Sequence, residues 1–382
     1  MKRPEQHAGP ARASLSEMAL VFLRLGFTAF GGPAGHIAMM EDEVVRRRSW
    51  LTREEFVDLI GAVNLIPGPN STELGLHIGL RRAGWAGFFT VGACFVLPSA
   101  VMVLVMAWSY AHFGTLPEAA GVLYGTKPVI IAIVVQALGS LARTAVKTRF
   151  LAAIGVLATI AGFLGVHSLL LLLVCGLVVG AAVAFLRGTP AEKHMPSAML
   201  GLLSGATTLP VAAASATSAS LGALFLYFLR IGAVLFGSGY LLLAFVHDDL
   251  VVRWHWLTES QLLDAIAVSQ VTPGPLSTAA TFIGYLLGGV KGALVATLGI
   301  FLPGFVLVGV SGRLVPRLRQ SRVAGAFLDG VNVAALALMV MVAWQLGRAA
   351  LVDLTTAGLA AASLLLLWRY RVNSVWLVLG GA

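Results

Sequence analysis

Pro67-Gly68-Pro69-Asn70-Ser71-Thr72 interrupts apolar sequence, and Pro273-Gly274-Pro275-Leu276-Ser277-Thr278 does the same 206 positions later. Proline removes a backbone donor and breaks a helix, while glycine frees the turn. Ser and Thr just after the break are good N-cap residues for a new helix. Two broken helices at matching points of two halves are the pattern expected of secondary transporters. The remaining sequence reads as the scaffold that places these two breaks.

Composition sets the solvent. Of 382 residues, 58% are hydrophobic and 11% charged, with a mean hydropathy of +0.89, against roughly 25% charged in soluble domains. No soluble fold of this size hides so much apolar surface, so an all-α polytopic membrane protein is expected. The apolar runs are continuous rather than alternating, which argues against a β-barrel. Backbone groups in lipid must also be satisfied within their own segment, which favours helices. The net charge of +9 does not point to nucleic acid, because most Lys and Arg flank apolar segments, as the positive-inside bias requires. Cys94 and Cys175 each sit in an apolar run and read as small core residues. They suggest neither a metal site nor a disulfide framework. The first apolar run carries Arg24 and has no clear small-residue cleavage site, so no cleavable signal peptide is expected.

A polar tail, residues 1–13, precedes a first repeat over 14–186. Residues 15–35 form the first apolar segment, close to the ~20 residues a span needs, and end in Phe30-Gly31-Gly32-Pro33-Ala34-Gly35. A charged loop with Glu41-Asp42-Glu43 and Arg46-Arg47-Arg48 leads to Trp50-Leu51-Thr52 and an amphipathic helix over 52–66. Thr52 and Glu55 fit a capping box. Beyond the break, 70–80 is a helix too short to cross alone. Residues 52–80 are therefore expected as a re-entrant or broken helical pair, tolerated at membrane depth only where protein or a watery cavity covers it. Apolar segments follow at about 85–110, 121–142, 150–166 and 168–186.

A linker over 187–218, rich in Ala, Ser, Thr and Gly, separates this repeat from a second over 219–382. Between 22–72 and 228–278, 20 of 51 ungapped positions are identical. Phe22-Leu23-Arg24 returns as Phe228-Leu229-Arg230, and Trp50-Leu51-Thr52 as Trp256-Leu257-Thr258. After one deletion the match resumes, Leu97-Pro98 with Leu302-Pro303. The agreement is a duplication. Further apolar segments lie at about 219–246, 282–310, 324–346, 350–368 and 374–382, the last one short. Five spans and a non-crossing broken pair per half make the two copies lie upside down to each other. With the 143–149 loop and the linker on one face, that face collects 17 of the 26 Lys and Arg. The split is weaker if the linker crosses, so inverted repeats with the 17-charge face cytoplasmic are expected.

Arg24 and Arg230 fall at membrane depth in equivalent positions. Each either snorkels or caps backbone carbonyls, or supplies an anion site with donors that match a tetrahedral oxyanion. The two breaks point to an anion as well, since each exposes the N-terminal N–H groups of a half-helix. Asn70, Ser71, Thr72, Ser277 and Thr278 add side-chain donors around Pro67-Gly68-Pro69 and Pro273-Gly274-Pro275. The equivalent Asn64 and Gln270 either line the site or bond between helices. Glu73 stands opposite Ala279 and carries coupling protons or faces water. His36 and His77, opposite Leu242 and Ile283, are proton carriers or hydrogen-bonded structural histidines. No HExxH, no Gly-x-Ser-x-Gly elbow and no Walker A loop occurs, so no enzyme and no cofactor is expected.

Phe30-Gly31-Gly32-Pro33-Ala34-Gly35-His36, the charged loop with Trp50-Leu51, and Pro67-Gly68-Pro69-Asn70 resemble the chromate ion transporter family. So does their echo in Phe236-Gly237-Ser238-Gly239 and Thr272-Pro273-Gly274-Pro275. The resemblance covers nearly the whole chain and is of the long-chain, two-domain type. It implies a multi-pass carrier in the plasma (inner) membrane that exports chromate, with sulfate as the related oxyanion, and so confers chromate resistance. The oxyanion and the lipid bilayer are its expected partners, and a homodimer is an admissible assembly. The second copy departs from the first where Gly239-Tyr240 replaces Pro33-Ala34 and Leu276 replaces Asn70, so the halves are expected to play unequal roles. Two other readings stay open: an inward permease for sulfate or another anion, and, from a different class, a membrane enzyme or lipid-binding scaffold.

Overall fold

A computed structural model describes residues 14–30, 32–113, 117–186, 220–236, 239–370, 372 and 374–381. The 1–13 tail, the 187–218 linker, Gly31, Gly237 and Ser238 lie outside the described residues. All described elements are helical. In chain order they are α1 (Leu15–Thr28), α2 (Gly32–Glu41), α3 (Arg53–Val63), α4 (Asn70–Phe113), α5 (Pro117–Ala145), α6 (Arg149–Phe163) and α7 (Ser168–Leu186). The second half gives α8 (Leu221–Val234), α9 (Leu241–Val246), α10 (Glu259–Val271), α11 (Ala279–Gln320), α12 (Arg322–Ala350), α13 (Leu354–Leu365) and α14 (Ser374–Gly381). The order of the first seven is thus repeated by the second seven.

The likeness of the halves reaches single atoms. Both α2 and α9 run on into π-helical turns, Asp42–Arg47 and His247–Arg253. Both turns end on a left-handed non-glycine residue, Ser49 with φ 50° and His255 with φ 53°. The next tryptophan then folds back, Trp50 N–H to Val44 O and Trp256 N–H to Leu250 O, each at 2.8 Å. Thr52 and Thr258 head α3 and α10 with capping boxes to Glu55 and Gln261, which satisfies two orphan donors at each helix start.

The two long helices are hairpins. Inside α4 the backbone leaves helical values at Ala83 and Gly84, and Gly84 takes φ 61°. Inside α11 the same happens at Gly288 and Gly289, φ 60°. A side chain at Gly79 would run into Gly87, and one at Gly284 into Gly292. Residues 70–82 therefore fold back on 85–113, and 279–287 on 290–320, through glycines small enough for backbone contact. Thr281 and Thr297 hydroxyls, 2.8 Å apart, tie the second hairpin across its arms.

Two spans expected from the sequence are broken. The segment over 15–35 divides at Ala29 and Phe30 into α1 and α2, and that over 219–246 divides at Leu235 and Phe236 into α8 and α9. Helices α1 and α8 have 14 residues each, about 21 Å at 1.5 Å per residue, short of the ~30 Å hydrocarbon core. Five of the described helices are long and apolar enough to cross, and α6, α8 and the α13 region are shorter apolar helices. Two of the ten expected segments are thus broken helices, and their apolarity comes from burial in protein as well as from lipid. Phe22, Phe228, Leu25 and Ile231 on these short helices are at most 2% exposed.

Lipid-facing surface is plain on the longer arms. Trp85, Phe89, Leu97, Val101 and Val105 are more than half exposed at four- or eight-residue spacing, as are Val290, Leu294, Leu298, Val306 and Val310. In water such stripes would be aggregation surfaces; in a bilayer they are the solvated face.

Candidate functional site

The Pro-Gly-Pro turns cross over into the opposite half. Gly68 N–H donates to Leu235 O at 2.7 Å, and Gly274 N–H donates to Ala29 O at 2.9 Å. Ala29 and Leu235 are the carbonyls left free where α1 and α8 stop. Each turn thus satisfies the broken helix of the other repeat, and the break and the turn explain each other. The glycines are required there, with φ 147° at Gly68 and 103° at Gly274.

New helices start at once. Thr72 N–H bonds Pro69 O at 2.8 Å and Thr278 N–H bonds Pro275 O at 3.0 Å, so the amides of residues 70–71 and 276–277 precede the first helical bond. All of Asn70, Ser71, Thr72, Ser277 and Thr278 are buried. Among the described residues, Asn70 Oδ1, Thr72 Oγ1 and Ser277 Oγ have no hydrogen-bond partner. Buried polar atoms left so are uncommon in native proteins, and here they cluster at two half-helix starts.

His36 joins the two turns. Its ring lies 3.1 Å through Nε2 from Ala29 O and 3.2 Å through Nδ1 from Ser71 Oγ. A carbonyl only accepts, so Nε2 carries the proton and Ser71 donates to Nδ1. The Ala29 carbonyl then serves both His36 and Gly274. Of the two sequence readings for His36, the hydrogen-bonded one matches this arrangement. His77, one turn beyond Glu73, keeps Nε2 without a partner among the described residues.

Glu73 is fully buried, and neither carboxyl oxygen has a partner among the described residues. Its Oε1 lies against Gly68 and against Gly304 of α11, where an added Cβ would be 3.3 Å away. The other half fills the matching space differently: Ser99 stands where Gly304 does, and Ser99 Oγ donates to Thr278 Oγ1 at 3.2 Å. Asn70 and Leu276 differ in the same way. Asn70 Nδ2 donates to Asn64 Oδ1 at 3.0 Å, whereas Gln270 Nε2 donates to Tyr240 Oη at 3.0 Å.

The arginines are not brought to the turns. Arg24 Nη1 lies 3.8 Å from Glu43 Oε1, with its side chain 64% exposed. It lines a pocket with Asp42, Glu43 and Arg47 that no residue of either turn reaches. Arg47 Nε bonds Asp42 at 2.7 Å and Arg48 bonds Glu43. The second half builds the equivalent cluster: Arg230 acts on Asp249, and Arg253 Nη1 lies 3.4 Å from Asp249. This geometry sets both arginines beside acids of the π-helical turns. Each arginine answers an acid on the π-helical turn of its own repeat, Arg24 with Glu43 and Arg230 with Asp249.

His167, Asp248 and Asp249 offer atoms within 4.8 Å of one another. Ser168 Oγ already donates to Asp248 at 2.8 Å, and Arg253 Nη1 lies 3.2 Å from His167 Nε2. Burial lifts the Asp249 carboxyl to about 6 against the pull of Arg230 and Arg253. Burial, then the Arg253 charge, lowers His167. The cluster reads as a hydrogen-bonded ion pair network rather than a ligand set.

These features define a multi-pass α-helical membrane protein with paired discontinuous helices at its centre. The chain belongs to the chromate transporter family, whose profile matches residues 16–181 and again 222–382. It is 31% identical to the chromate transport protein of Cupriavidus metallidurans, over 98% of this chain and 93% of that one. It is also 31% identical to the probable chromate transport protein of Synechococcus elongatus, over 95% and 92%. Against the chromate transport protein of Pseudomonas aeruginosa it is 29% identical over 97% and 92%. No solved structure matches the chain.

Proposed function

We propose that this chain exports chromate, with sulfate as a related substrate, from the cytoplasm across the plasma (inner) membrane. The oxyanion is held by alternating access where the two crossed turns meet, near the membrane midplane. The observation that carries the reading is the reciprocal bond pair, Gly68 to Leu235 and Gly274 to Ala29. It sets two half-helix starts, each an anion-favouring end, against two helix breaks. Asn64, Pro67 to Thr72, Gln270, Pro273 to Pro275, Ser277 and Thr278 form this site, without Arg24 and Arg230. Glu73 and His77 are its candidates for proton coupling, and His36 fixes its geometry.

Inverted repeats are supported by four contacts. Residues 85–113 and 290–311 are equivalent arms, and they pack antiparallel: Gly92 meets Phe305, and Gly309 meets Trp85. Equivalent membrane-crossing arms that pack antiparallel require a two-fold axis lying in the membrane plane. His167 bonds Arg253 and Lys147 bonds Asp329, and each pair falls on one face only if the copies are inverted.

The energetics favour export. A dianion leaving a negative interior gains about 4.6 kcal/mol at 100 mV, about a 2000-fold gradient. Everted membrane vesicles test the reading. With an interior-positive potential they should accumulate labelled chromate, and sulfate should compete. Vesicles that move neither anion would remove the oxyanion reading, and release of preloaded anion against an interior-positive potential would favour the inward permease.

A further inference from the structure

A cavity of about 500 Å³ opens between α5, α12 and the first turn. Asn64, an exposed side chain, lines it and holds Asn70. At its mouth is Lys147, 58% exposed, with Nζ 2.7 Å from Asp329 Oδ1. Thr144 and Asn332 also line it, over apolar walls that include Phe236 and Leu328.

We propose that this cavity is the vestibule by which the oxyanion reaches Asn64, and that Lys147 captures the anion there in exchange for Asp329. The inference rests on the oxyanion-carrier reading and adds residues outside the crossed turns. The hydrogen-bonding side chains of Lys147, Thr144, Asn332 and Asn64 all line this one cavity and all carry donors. The volume has room for on the order of fifteen waters at ~30 Å³ each, so a hydrated tetrahedral dianion enters without losing its shell. An ion pair this exposed is worth little, so an arriving dianion displaces the carboxylate readily. The second half has no such mouth: Val352 and Tyr124 stand at the positions equivalent to Lys147 and Asp329, and Tyr124 bonds the Asp353 carboxylate instead. The opposite half carries a cation too, Lys127 at the place of Asn332, but it is 21% exposed and paired with the buried Asp264, so the more open Lys147 makes the face of the 143–149 loop the preferred loading side.

The full-length protein in proteoliposomes tests this by chromate transport against concentration. Lys147→Gln should raise KM about tenfold with kcat little changed, and Lys147→Arg should recover most of that loss. Asp329→Asn frees the ammonium and should lower KM. An unchanged KM in Lys147→Gln overturns the proposal. A second readout does not need transport. Asn332→Cys, with Cys94→Ala and Cys175→Ala, is labelled in sealed vesicles by an impermeant maleimide. Labelling should occur only from the 143–149 face and slow at least about threefold with sulfate or molybdate, tetrahedral dianions that spare thiols. Labelling from both faces, or indifferent to both anions, overturns the vestibule. If the parent chain transports no oxyanion while anions still protect the thiol introduced by Asn332→Cys, the carrier reading fails and the vestibule stands.

Discussion

The backbone N–H of Gly68 is 2.7 Å from the carbonyl of Leu235, 167 residues away, and Gly274 repeats the bond to Ala29 at 2.9 Å. The two bonds exchange equivalent partners, so each half completes the other. Leu235 takes its bond from the other repeat, and Ala29 is shared between His36 of its own repeat and Gly274 of the other. This couples the halves through two backbone bonds at the crossed turns.

Gly68→Ala and Gly274→Ala should each lower stability by about 2 kcal/mol or more, from left-handed strain and lost space together. At Gly274 the new Cβ would be 2.6 Å from Ser99 Cβ. Ser99→Gly should therefore recover the packing part of the Gly274→Ala loss and leave the backbone part. Thermal unfolding of the detergent-solubilised protein measures this. Full recovery in the double variant would show that φ does not matter there.

His36 has two partners, Ser71 and the Ala29 carbonyl. His36→Leu, the residue found in the second half, should cost about 1–3 kcal/mol because buried polar groups lose their partners. Ser71→Ala should cost less, and the double variant should fall short of the sum by about 0.5 kcal/mol or more, the smallest coupling expected for residues in contact. Additive losses in a double-mutant cycle would separate the two residues.

The fold class, the duplication and both breaks were legible because glycine and proline act locally and identical motifs recur at one offset. The capping boxes at Thr52 and Thr258 were equally open to reading. What escaped was tertiary. An apolar run of 21 residues looks like a span whether lipid or protein covers it, so the splits at Ala29 and Leu235 were invisible. The placement of Arg24 depended on which acid lay nearest in space, and Glu43 sits beyond the break. Lys147, Asn332 and Asp329 meet only through packing of α5 on α12, which no single segment announces.

Arg24→Gln should change chromate KM by less than about threefold, since the side chain is mostly exposed and its pair with Glu43 is weak. Glu43→Gln should be worse for stability. That carboxyl is 10% exposed and also holds Arg47 and Arg48, and a buried partner left unpaired costs about 1–3 kcal/mol. Transport kinetics beside melting curves check both. A large KM rise in Arg24→Gln with normal melting would return the arginine to the substrate path.

Asp249 titrates near 6 when folded, against an ordinary 3.8. The folded state therefore holds the proton more tightly, and this group's contribution to stability falls as pH rises from about 4 to 6 and is flat above. His167, lowered from its ordinary 6.5, acts oppositely: the folded state disfavours its charge, so its contribution falls as pH drops through 6.5. Asp249→Asn should remove the first effect and leave the second. Between pH 4 and 6 its melting temperature should rise more, or fall less, with pH than that of the parent. Parallel curves would mean that Asp249 is ionised throughout.

Glu73 is a fully buried acid packed against the first turn, with Ala279 in the equivalent place. It is packed against Gly68 and Gly304 with no counter-ion among the described residues. A carboxylate charge there needs water or a cation, because an isolated buried charge costs several kcal/mol or more. Any state that ionises Glu73 must therefore open this slot, which ties proton release to movement of the first turn against α11. Glu73→Gln keeps the shape and removes the ionisable group. In proteoliposomes it should lose the response of chromate flux to an imposed pH gradient and retain part of the flux driven by membrane potential. A Glu73→Gln carrier that still follows the pH gradient would move the coupling to His77, and His77→Gln would then be the variant that loses it.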